Sequence, residues 1–138
     1  MGISKRQFTA KMTKQEVFDE VSEHLIKQGE KSLRFINGKG FNAYYGVGGT
    51  RCAVGCLIPD HMYNEDLEGK SLLCPSVHRA LGALAEDEDI MCLLADLQDM
   101  HDNSPVNLWP QRLTDIAFEN DLDMAGELLY INECWNHF

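Results

Sequence analysis

Between Ser32 and Thr50 the β-forming residues Phe35, Ile36, Phe41, Tyr44, Tyr45 and Val47 are interrupted by Asn37-Gly38, Gly40 and Gly48-Gly49. Those interruptions leave runs too short for helices and supply residues that tolerate the positive φ of tight reversals. The stretch therefore predicts two or three short antiparallel strands. Arg51 to Ile58 either continues the sheet or opens a helix, and Pro59 closes the segment.

On both sides of this stretch the apolar spacing is helical. Thr13-Lys14-Gln15-Glu16 fits a capping box, with the Thr13 hydroxyl and the Glu16 carboxylate each meeting an orphan backbone N–H. Val17, Phe18, Val21 and Leu25 then form one stripe, and Gly29 marks its stop. Pro75 suits a first helical position ahead of Val77, Leu81 and Leu84. Ile90, Leu93, Leu94, Leu97 and Met100 make the clearest stripe, behind the acidic start Glu86 to Asp89 and ahead of Asn103-Ser104-Pro105. Pro110 opens a further helix carrying Leu113, Ile116 and Ala117, which stops near Asn120-Asp121. A last apolar segment, Met124 to Ile131, packs as a helix or strand. These elements predict an α+β domain, mainly helical, with a small antiparallel sheet near residues 33–54. Residues 1–12 read as a flexible basic leader and residues 13–138 as one globular domain.

A chain of 138 residues is long enough to bury a core without staples. No apolar run reaches membrane-spanning length, and the basic N-terminus is not followed by a signal-peptide core, so a cytoplasmic location is expected. The five cysteines are an odd number and read as reduced thiols.

The formal charge of −10 is unevenly spread. Residues 1–39 carry eight Lys/Arg and five Asp/Glu, whereas the other 99 carry four and seventeen. The larger part would repel phosphate, which argues against direct nucleic-acid binding and for a partner with a basic surface.

Three sets of residues are candidates for chemistry. Arg51-Cys52 follows a glycine-rich turn, and if Val54 to Ile58 is helical, Cys52 lies at a helix N-terminus, which favours a thiolate nucleophile. His101 would be its base, with Asp102 or Gln98 to orient the imidazole. The alternative is a buried, inert Cys52. Asp60, Tyr63, Asp66 and Glu68 lie on an acidic loop that serves as a protein-binding edge, unless Tyr63 folds back to anchor it. Cys52, Cys56, Cys74 and His78 contain two i, i+4 pairs of zinc-ligand type, but the spacing is not that of common zinc ribbons. Asp60, Asn64, Asp66 and Glu68 fail the calcium-loop pattern, with no glycine at its sixth position. No metal or cofactor is expected.

With Cys52-Ala53-Val54-Gly55-Cys56-Leu57-Ile58-Pro59-Asp60, then Tyr63, Glu68-Gly69, Leu97-Gln98, His101-Asp102 and Trp109, the chain resembles a family of small, uncharacterised proteins of tailed bacteriophages and prophages. The likeness spans roughly residues 14–122. It implies expression inside an infected bacterial host cell and a non-structural accessory role. The expected function is non-enzymatic binding of a host or defence protein through an acidic surface. The alternative is a cysteine-dependent hydrolase with Cys52 as nucleophile and His101 as base.

Overall fold

The computed structural model describes residues 12–124. The leader up to Lys11 and most of the apolar segment Met124 to Ile131 lie outside the described residues. Four helices and one hairpin follow in the order α1 (Lys14–Gln28), β1 (Leu33–Ile36), β2 (Lys39–Asn42), α2 (Pro75–Leu81), α3 (Glu88–Asn103) and α4 (Trp109–Glu119). The domain is α+β and mainly helical, with a two-stranded antiparallel sheet. None of the described helices is long and apolar enough to cross a membrane.

Helix α1 starts where its capping box places it: Glu16 N–H donates to Thr13 Oγ1 at 3.0 Å and Thr13 N–H to Glu16 Oε1 at 2.9 Å. It ends at Gly29, which is left-handed and returns its N–H to the Leu25 carbonyl. Its stripe of Val17, Phe18, Val21 and Leu25 is fully buried against α3 and α4. Helix α3 contributes Ile90, Leu93, Leu94, Leu97 and Met100 to the same core, and α4 contributes Trp109, Leu113, Ile116 and Ala117. Each such side chain stabilises the fold by roughly 1.5–3 kcal/mol through removal of apolar surface from water. Asp87, accepting from Ile90 N–H, caps α3, and the helix stops ahead of Pro105.

The hairpin pairs Leu33 with Asn42, Arg34 with Phe41, Phe35 with Gly40 and Ile36 with Lys39. Asn37 and Gly38 both have positive φ, 53° and 79°, as a two-residue hairpin turn demands. The reversal at Gly48-Gly49 brings Tyr45 and Arg51 together as a single antiparallel bridge.

Beyond Arg51 the alternative of a helix over Val54 to Ile58 is corrected. Only one 3₁₀ turn forms, Gly55–Leu57, and Ile58 is already extended. The reason is a close approach. A Cβ at Gly55 would lie 2.0 Å from the Tyr44 carbonyl oxygen, so the Tyr44 backbone abuts this turn, and Ile58 is held extended directly ahead of Pro59.

Candidate functional site

The Cys52–Cys56 turn is held from both ends. Cys56 N–H donates to the Cys52 carbonyl at 3.0 Å, Gly55 N–H points at Cys52 Sγ at 3.3 Å, and Cys56 Sγ donates to the Ala53 carbonyl at 3.2 Å. Gln98, from α3, accepts from Val54 N–H at 3.0 Å and donates through Nε2 to Asp102 Oδ1 at 3.0 Å. One glutamine thus ties the turn to the helix.

His101 and Asp102 complete this partly buried polar chain. Ser32 N–H donates to His101 Nε2 at 3.0 Å, so that nitrogen carries a lone pair and the ring proton sits on Nδ1. Nδ1 in turn donates to Asp102 Oδ1 at 2.8 Å. The imidazole is fully buried and lies 5.6 Å from the Trp109 ring. Both ring nitrogens are therefore engaged, and no hydrogen bond joins His101 to Cys52 among the described residues.

The surroundings of Cys52 act on its thiol in a definite direction. Cys52 precedes a single 3₁₀ turn, not an α-helix, and is 1% exposed; burial pushes the thiol up to about 12, which the Gly55 N–H only partly offsets. At neutral pH the group is a thiol. Cys56 moves in the same direction for the same reason. Cys74 is held below the ordinary thiol range by its hydrogen bond to Ser76.

The acidic loop is built inward from Glu68. Its Oε1 accepts from Tyr44 N–H at 2.9 Å, while Oε2 accepts from Tyr45 N–H at 3.1 Å and from the Tyr63 hydroxyl at 2.7 Å. Tyr63 stacks on Tyr45 with ring centroids 3.8 Å apart, and the Arg51 guanidinium covers the other face of Tyr45 at 3.6 Å. Arg34 closes the cluster, donating to the Tyr45 carbonyl and the Tyr63 hydroxyl, each at 2.9 Å. Tyr63 is thus seated as an anchor. Asp60 and Asp66 are exposed, although Asp60 Oδ1 accepts from the Tyr45 hydroxyl at 3.0 Å.

Among the described residues no three His, Cys, Asp or Glu side chains gather as a metal site, so Cys52, Cys56, Cys74 and His78 are not brought together. His78 Nε2 is buried without a hydrogen-bond partner among the described residues.

Sequence reasoning passed over a groove of about 370 Å³ between α3 and α4, lined by Asp96, Asp99, Asp115 and Glu119 with Arg112 as its cation. Arg112 pairs with Asp115 at 3.5 Å, both side chains about half exposed. The signal was available: Asp96 and Asp99 at i, i+3 and Asp115 and Glu119 at i, i+4 share helix faces. Searches for related proteins return no matching family model, curated protein or solved structure.

Proposed function

We propose that the protein is a non-enzymatic accessory module that docks a basic surface of a host or defence protein inside an infected bacterial cell. The observation that carries this reading is the α3–α4 groove, where four carboxylates face a single arginine. Such a concentration of one sign raises the local density of a basic partner and accelerates encounter. Asp60 and Asp66 are further exposed carboxylates, on the loop, whereas Glu68 is engaged internally.

The test is a comparison of partner capture from host lysate, with a lysine- and arginine-rich peptide as a defined control. The native chain is set against Asp96→Lys/Asp99→Lys and, separately, against Asp60→Lys/Asp66→Lys. Binding should weaken with salt and fall in the groove variant. Capture insensitive to both salt and groove reversal overturns the proposal, and loss confined to the loop variant moves the edge to residues 60–66.

A cysteine hydrolase is the second reading, favoured by the fact that Cys52, Gln98 and Asp102 line one cavity. It requires His101 to leave Ser32 and the Cys52 thiol to ionise. Alkylation of the native protein distinguishes the two, as set out in the Discussion.

A further inference from the structure

The cavity that Cys52, Gln98 and Asp102 border measures about 230 Å³, and Asn42, Tyr44 and Leu72 also line it. An engineered protein cavity of about 150 Å³ accepts benzene, so this one has room for a molecule with one ring and a short substituent.

The polar groups around the cavity are mostly engaged. Both oxygens of Glu68 accept from the Tyr44–Tyr45 backbone and Tyr63. Gln98 accepts from Val54 and donates to Asp102. The Lys70 ammonium donates to the Asp66 carbonyl at 2.6 Å, and Lys31 donates to the backbone carbonyl of Asp102 at 3.1 Å. Asp102 differs. Its Oδ1 takes two donors, His101 Nδ1 and Gln98 Nε2, while its Oδ2 has no hydrogen-bond partner among the described residues. The carboxylate pairs with no lysine or arginine there, although its side chain is only 30% exposed. Asp102 lines the cavity and its Oδ2 is open to solvent, so it is within reach of a charge-assisted donor, which forms about twice as strong a hydrogen bond as a neutral one.

We propose that this cavity binds a small primary amine in its ammonium form, the nitrogen donating to Asp102 Oδ2 and the carbon frame resting against Tyr44 and Leu72. The inference is independent of protein docking at the α3–α4 groove. Gln98 and His101 act in it as positioning residues, because their bonds to Oδ1 fix the carboxylate and leave Oδ2 for the ligand.

The test uses the full chain, isotope-labelled, titrated by NMR with benzylamine and with its neutral isostere benzyl alcohol. Benzylamine should give saturable shifts at residues 42–44, 52, 98 and 102, with an affinity at least about tenfold above that of the alcohol, a ratio that one charge-assisted contact supplies. Asp102→Asn should abolish that preference, since its Oδ1 retains the His101 and Gln98 donors while a second donor replaces Oδ2. Ser71→Trp, at an exposed position on the rim, should weaken both ligands and serves as the deciding variant if Asp102→Asn does not fold. Equal response to amine and alcohol, absence of shifts at the cavity, an amine preference that survives Asp102→Asn, or amine binding unchanged by Ser71→Trp would each overturn the proposal.

Discussion

The backbone N–H of Ser32 donates to Nε2 of His101, 3.0 Å away across 69 residues of sequence. This single bond fixes the imidazole tautomer and joins the entry of the hairpin to the last turn of α3. It also engages the lone pair with which His101 would act as a base, so base chemistry at this ring requires that bond to break.

Replacing His101 with alanine should destabilise the protein by about 3 kcal/mol, since it opens a cavity beside Trp109 and leaves the buried Ser32 N–H unsatisfied. Urea denaturation measures the loss. A change below about 0.5 kcal/mol would show that the buried network does not support the fold.

Alkylation with iodoacetamide at pH 8 should modify Cys92, which is exposed, and Cys74, whose thiol is shifted down, well before Cys52 and Cys56. Mass spectrometry of timed samples gives the order. Preferential modification of Cys52 would instead support the hydrolase reading.

Stability should fall as pH rises above about 9. The folded-state value of Cys52 lies near 12, above the ordinary thiol value of 9, so between the two the unfolded chain releases a proton that the native state keeps. The contribution is complete below the unfolded value and is lost as pH rises through the folded one. Tyr45, pushed up to about 12 chiefly by burial, acts in the same direction. Urea midpoints taken from pH 8 to 10.5 should decline, and Cys52→Ala should flatten the slope. A native slope unchanged by that substitution would assign the decline to Cys56 and the tyrosines.

Gly55→Ala should cost more than about 3 kcal/mol or prevent folding, because its Cβ would meet the Tyr44 carbonyl oxygen at 2.0 Å. Gly48→Ala is the control. That position is open but has φ of +69°, so the cost should be about 1 kcal/mol from backbone strain alone. Thermal melts of the two variants should separate clearly.

Glu68→Ala should cost about 3 kcal/mol and loosen the acidic loop, since the Tyr44 and Tyr45 amides and the Tyr63 hydroxyl lose one shared acceptor. Hydrogen exchange at the two amides should quicken even where overall stability permits folding. Protection equal to the native chain would remove Glu68 from this role.

Local chemistry made much of the architecture legible. Thr13 and Glu16, Asn37 and Gly38, and the stripe from Ile90 to Met100 each act over a few residues, so caps, turn and amphipathic face can be read from spacing alone. The core position of His101, read from sequence only as a candidate base, carried a signal of the same kind: it falls in phase with Ile90, Leu94 and Leu97. The inward turn of Glu68 and the failure of Val54 to Ile58 to become a helix were not legible. Both depend on Tyr44 and Tyr45, whose amides need an acceptor and whose backbone occupies the space beside Gly55.

The sequence by itself determined the helical stripes, their caps, the hairpin and the sign of the charge, because these follow from neighbours within one or two turns. Only the tertiary structure decided which ionisable groups face each other. It buried Cys52 as a thiol, bound His101 to Ser32, left one oxygen of Asp102 without a partner among the described residues, and set two helices' carboxylates across a shared groove. Hydrogen-bond partners and desolvation are properties of three-dimensional packing, and residues 69 apart reveal them only when the chain is folded.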